Sequence, residues 1–155
     1  MEPRSNLSNL GEVDVVYKYQ SSRKDRPQIQ KSTDAVDVFK LLFHKEKLGL
    51  QEQFAVLYLD RNNRVIGCAQ LFNGGVSATV VDIRIILAAA LKLLATGVLI
   101  AHNHPSGNLK PSSEDIKITK KLKGALELMD IVLLDHIILC PEHHYLSMSE
   151  EGILP

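Results

Sequence analysis

The sequence predicts an α/β domain built on a mixed β-sheet. Two observations carry this. Short apolar runs of strand length alternate with segments of helical period along the chain. Two of those runs flank a four-residue turn, which makes at least one strand pair an antiparallel hairpin.

Taken in order, residues 1–12 are polar and irregular and read as a flexible N-terminus, leaving 13–155 for the domain. Val13 to Tyr19 alternates and predicts a strand. Gln20 to Lys31 reads as a linker or exposed loop. It holds the one local basic cluster, Arg23, Lys24 and Arg26 around Asp25, expected to be a solvated loop. Ser32, Thr33 or Asp34 can cap a helix with the apolar face Val36, Phe39, Leu42 and Phe43, ended by Gly49. Phe54 to Leu59 and Val65 to Phe72 are the hairpin strands around Asp60-Arg61-Asn62-Asn63. Gly74-Gly75 marks a turn. A helix follows from about Asp82 to Ala95, apolar on nearly every side and so expected to be covered on most of them, with Gly97 as its stop. Val98 to Ala101 is a short buried strand, and a loop runs from His102 to Pro111. A helix from about Ser113 to Met129 carries Ile116, Ile118, Leu122, Leu126 and Met129. Ile131 to Leu139 is the last long strand, and Tyr145 to Met148 predicts one more.

Bulk properties narrow the function. A chain of 155 residues, 45% apolar and 23% charged, has the size and composition of one soluble globular domain. Its formal net charge is zero, without the basic excess usual in nucleic-acid binders. The N-terminus lacks the apolar core of a secretory signal. The longest apolar stretch, Ile83 to Ile100, is interrupted by Arg84, Lys92, Thr96 and Gly97, which argues against a membrane span. Cys68 and Cys140 stand far apart and outside any Cys-x-x-Cys pair, so a cysteine zinc cage is not supported. Both lie in apolar runs and read as buried thiols in a reducing cytoplasm.

The informative stretch is Ala101-His102-Asn103-His104-Pro105-Ser106-Gly107, continuing to Pro111-Ser112-Ser113-Glu114-Asp115. His102 and His104 are two apart at a strand end, and residues i and i+2 of an extended chain point to one side. Pro105 biases His104 toward extended backbone and supports that geometry. Asp115, at the start of the next helix, can fold back as a third ligand. Two histidines and a carboxylate with an open fourth position match a catalytic rather than a structural zinc site. Ser112-x-x-Asp115 is also a capping box that needs no metal. The two readings are compatible, because the cap places Asp115 in the first turn.

A metal-activated water needs a base and an oxyanion donor. Ser112 can be the donor. Glu52, at the start of the Phe54–Leu59 strand, is the candidate base. Glu46 and Asp60 are acids nearby, and a solvated strand-end charge is the plain alternative for Glu52. His136, in an apolar strand, is either a support for the site or a satisfied core residue. His143 and His144 read as exposed turn residues and His44 as a helix-surface residue.

His-x-His, seven residues, Ser, two residues, Asp is the spacing of the JAMM motif of JAB/MPN metalloproteases, here His102, His104, Ser112 and Asp115. The text from His102 to Ser112 resembles the RadC family in particular. So do Phe54 to Asp60 after Glu52, Leu134-Asp135-His136-Ile137-Ile138, and the ending Tyr145 to Gly152. The resemblance covers roughly 13–155. It implies a cytidine-deaminase-like three-layer fold and one zinc ion held by His102, His104 and Asp115. It further implies Glu52 as general acid/base and Ser112 as the residue steadying the tetrahedral intermediate. Two departures stand out. Longer RadC proteins carry an N-terminal helix-hairpin-helix element without counterpart here. Of their usual Pro-Arg-Glu run before the central helix, Asp82-Ile83-Arg84-Ile85 keeps only the Arg.

The leading expectation is a zinc hydrolase acting on a peptide or isopeptide bond in a protein or peptide substrate. A non-catalytic JAB/MPN binding module and a DNA-repair accessory, the label long carried by the family, are the alternatives. A nucleobase deaminase would need His-x-Glu and Pro-Cys-x-x-Cys, and neither is present. The substrate and the oligomeric state are left open by the sequence.

Overall fold

A computed structural model describes residues 22–73 and 81–155. The expected tail at 1–12, the strand at Val13 to Tyr19 and the Gly74-Gly75 turn lie outside the described residues. The elements run α1 (Ser32–Leu42), β1 (Gln53–Leu59), β2 (Val65–Asn73), α2 (Ile83–Leu93), β3 (Gly97–Asn103), α3 (Ser113–Glu127), β4 (Val132–Leu139) and β5 (Tyr145–Ser147). Short 3-10 turns lie at Arg23–Asp25 and Lys45–Lys47.

The strands form one five-stranded sheet in the order β2-β1-β3-β4-β5. β3 and β4 are parallel, joined across α3, and the other neighbours are antiparallel. The hairpin turn forms as expected. The Asp60 carboxylate accepts from the Asn62 and Arg64 backbone N–H groups, and Asn63 takes the left-handed conformation at φ 54°.

The two-residue period of the strands divides their side chains between two cores. Ala55, Leu57, Leu59, Leu99, Ala101, Ile137 and Leu139 pack beneath Val36, Phe39 and Phe43 of the α1 region. Phe54, Val56, Tyr58, Val98, Ile100 and Leu133 face Ile86 and Ala90 of α2 and Leu122 and Leu126 of α3. The sheet is therefore the middle of three layers. β1 and β3 are buried along their whole length, which suits central strands.

One irregularity matters for the site. In the β3–β4 pairing Val98 faces Leu133 but Leu99 faces Asp135, so Leu134 is an extra residue. A one-residue bulge reverses which side each later residue faces. It puts His136, level with Ile100, on the α2/α3 side of the sheet.

Several expectations are corrected. α1 is entered through Lys31 rather than capped by Ser32, Thr33 or Asp34. The Asp34 carboxylate instead accepts from the Gln30 and Lys31 N–H groups at 2.9 and 3.0 Å. α1 stops at Leu42, well before Gly49, because Phe43 is already extended at φ −78°, ψ 138°. His44 therefore lies beyond the helix rather than on its surface. α2 buries only Ile86 and Ala90 and leaves Ile85 53% exposed, so it is covered on one side and not on most. Leu94, left-handed at φ 52°, ends it instead of Gly97, which begins β3. Arg26 is buried, not solvated, and the segment expected to be a linker bridges to the sheet through Gln28 and Arg64. Cys68 is exposed on the outer strand β2, while Cys140 is buried as expected. Among the described residues no helix is long and apolar enough to cross a membrane.

Candidate metal centre

The end of β3 and the first turn of α3 meet over the α2/α3 face of the sheet. His102 sits mid-sheet, opposite Phe54 of β1 and Ile138 of β4, and is buried. The His104 backbone N–H donates to the Leu139 carbonyl at 2.9 Å, extending the β3–β4 ladder past Asn103. His102 and His104 thus project to one side, and their Nε2 atoms lie 2.9 Å apart.

Asp115 arrives through the capping box. Ser112 Oγ accepts from the Asp115 N–H at 3.1 Å, and Asp115 Oδ2 accepts from the Ser112 N–H at 2.7 Å. That fixes the carboxylate with Oδ1 3.2 Å from His102 Nε2 and Oδ2 3.4 Å from His104 Nε2. Among the described residues these three form the group able to hold a metal ion. Tetrahedral zinc with donors at about 2.0–2.1 Å requires donor pairs about 3.3 Å apart, and the observed spacings fit.

Proton positions follow from the outer partners. The Asp115 carbonyl can only accept, so the hydroxyl of Thr119, 2.5 Å away, donates to it. Thr119 Oγ1 therefore accepts from His136 Nδ1–H at 2.6 Å. His136 is fully buried, and desolvation first, then the neighbouring His102, holds its pKa well below the ordinary value and keeps it neutral. Its Nε2 must then accept from His102 Nδ1–H at 2.7 Å, so a neutral His102 carries its lone pair on Nε2. His104 reaches the same state more simply, with Nδ1–H donating to the Asn108 carbonyl. When neutral, both rings thus present an unprotonated Nε2 to the carboxylate side, the support expected around a metal-binding histidine.

These groups also pair with one another. The hydrogen bond to Asp115 raises the His104 pKa. Burial opposes that rise, while the Asn108 carbonyl and the charges of Asp115 and Glu52 add to it. Burial alone would raise Asp115, but hydrogen bonds from His102 and His104 outweigh it and hold the carboxyl far below the ordinary range.

Glu52 lies immediately before β1, half-buried. Two hollows meet where Glu52 and Ser112 stand, since both residues line both. One is an open groove of about 700 Å³ past His104, Leu50, Pro105 and Lys110. The other, about 210 Å³, runs past His102, Asp115, Phe54, Val81 and Ile118. The structure brings all five sequence-derived candidates to one place. Sequence reasoning missed Thr119, whose signal is its place one turn after Asp115, and left His136 undecided. His143 and His144 are exposed in the β4–β5 turn and do not belong to that group of three donors.

Fold and donor set together define a mixed α/β domain with a His-His-Asp metal-binding triad. The chain belongs to the RadC-like JAB domain family, which it matches over residues 29–153. It is similar to a UPF0758 protein of Flavobacterium johnsoniae, 39% identical over 145 residues that cover 91% of this chain and 63% of that protein. A UPF0758 protein of Aquifex aeolicus is 40% identical over 131 residues, covering 84% of this chain and 54% of the relative. One from an Acidovorax species is 46% identical over 103 residues, 66% and 43% of the two chains. The chain spans about half the length of the curated relatives it matches.

Proposed function

We propose that this chain is a zinc-dependent hydrolase of the JAMM type, cleaving a peptide or isopeptide bond on a cytidine-deaminase-like scaffold in the cytoplasm. The observation that carries the reading is the convergence of His102 Nε2, His104 Nε2 and the Asp115 carboxylate, both rings set by outer hydrogen bonds to offer a lone pair. His102, His104 and Asp115 would hold the ion. When bound, zinc supplies a Lewis acid and lowers the pKa of water to near neutrality.

The chain's own groups do the rest. Glu52, where the two hollows meet, takes the proton of the attacking water and delivers it to the leaving amine. Ser112 uses an oxygen lone pair for the helix cap, so its hydroxyl proton can serve the developing oxyanion. An extended substrate would run from the open groove past Leu50 and Lys110 into the narrower hollow at Phe54 and Ile118. That route favours a protein or peptide cut at an internal bond. The zero net charge gives no support to the DNA-repair label of the family.

The test is metal content together with turnover of a diverse peptide and isopeptide library, for wild type and Glu52→Gln. One bound zinc and turnover lost in Glu52→Gln are expected. Absence of metal from protein purified without chelator would overturn the site. Metal without Glu52-dependent turnover would favour a non-catalytic binding module.

A further inference from the structure

Asn103 separates the two histidines in sequence, and the strand period turns it to the opposite face of the sheet. There it is fully buried. Its Oδ1 accepts from the Gln53 N–H at 2.6 Å, and its Nδ2 donates to the carbonyls of Leu48 and Gln51 at 2.8 and 3.0 Å. The Gln53 and Gln51 contacts bracket Glu52 on either side. The segment from Phe43 to Glu52 belongs to neither helix nor sheet apart from one 3-10 turn, so Glu52 enters β1 from irregular chain. The Gln53 side chain, also buried, anchors the other end of that segment by bonds of 2.8 and 3.1 Å to the His44 backbone.

We propose that Asn103 is a positioning residue for Glu52: its side-chain amide clamps the backbone on both sides of Glu52 and ties that carboxylate to the strand segment that carries His102 and His104. The inference rests on the reading of Glu52 as the proton carrier. Its physical content is one of reference. The two ligand rings and the clamp leave consecutive residues of one rigid strand, so the spacing between carboxylate and metal donors is set within three residues. Truncating Asn103 removes no metal donor. It leaves one N–H and two carbonyls without their partner and lets the Glu52 segment relax.

The experiment uses full-length protein loaded with Co2+, whose visible absorption is followed as a function of pH for wild type, Glu52→Gln and Asn103→Ala. All three should bind one Co2+. Glu52→Gln should move the midpoint of the spectral titration, and Asn103→Ala should move it in the same direction by at least half as much. A wild-type midpoint in Asn103→Ala overturns the inference, and so does loss of Co2+ from that folded variant, which would tie Asn103 to the ligands instead. Failure of wild type to bind Co2+, or a wild-type midpoint in Glu52→Gln, would overturn the proposed function itself and is separately visible. If Asn103→Ala does not fold, Asn103→Asp, which keeps the acceptor and loses both donated bonds, takes its place. Amide exchange in wild type needs no variant: Gln53 should exchange as slowly as the central residues of β1, and fast exchange overturns the clamp.

Discussion

His102 Nδ1 lies 2.7 Å from His136 Nε2, and the direction of that hydrogen bond is fixed two partners away, at the carbonyl of Asp115. The relay joins one ligand to the backbone of another. His136→Phe keeps the ring volume beside Phe54 and removes the acceptor. Zinc affinity should fall by about 10–100-fold, the usual cost of losing an outer partner of a metal ligand. A chelator competition titration reads this directly, and unchanged affinity would refute the tautomer argument.

The metal-free protein should lose stability on the alkaline side. The His104 pKa is raised above 6.5 in the folded state, so its contribution is complete below that value and is lost as pH climbs through the raised one. The Asp115 pKa is depressed below 3.8, so its contribution is present above 3.8 and disappears only in strong acid. Metal binding requires His104 to give up its proton, so affinity runs the opposite way and weakens as pH falls through that raised pKa. Melting curves of chelated protein should therefore drop as pH rises above about 6.5, while those of zinc-loaded protein should not. His104→Asn should remove the alkaline drop, and an equal drop in that variant would place its origin elsewhere.

The readable parts of the site are those governed by local geometry. His102 and His104 share a side because of the strand period, and Asp115 sits in a capping turn, so three donors follow from spacing alone. Glu52 needs the resemblance, because its approach depends on β1 pairing with β3 at Phe54 and His102, a contact across 48 residues of chain. His136 was undecidable for a different reason. Counting by twos from Leu133, without the bulge at Leu134, would place Asp135 and not His136 on the metal side. α2 misled because apolar composition all round a helix does not say how many neighbours cover it. Ile85, Leu91 and Leu94 remain exposed.

Tyr58 offers a test of the core beneath the site. Its side chain is buried between β1 and the α2/α3 layer, and among the described residues its hydroxyl has no hydrogen-bond partner. Burial pushes its pKa up to about 12. An unpaired buried hydroxyl costs about 1–3 kcal/mol. Tyr58→Phe should therefore be neutral or raise the melting temperature by a few degrees, without changing zinc stoichiometry. A clear loss of stability in denaturant titration would reveal a partner for that hydroxyl.

Ser112 carries two assignments that substitution can separate. As N-cap it accepts the Asp115 N–H, and Ser→Ala at such a position costs about 1 kcal/mol. Ser112→Asp also caps well and favours the helix dipole, but it has no hydroxyl proton and brings a negative charge to the groove. Ser112→Ala should thus lower both stability and turnover. Ser112→Asp should keep the stability of α3 and lose turnover by about 100-fold or more, the scale of removing one oxyanion donor. Melting curves and steady-state rates on a library substrate separate the two effects. If Ser112→Asp is as active as wild type, Ser112 is a cap alone, and the oxyanion must be held by the metal without it.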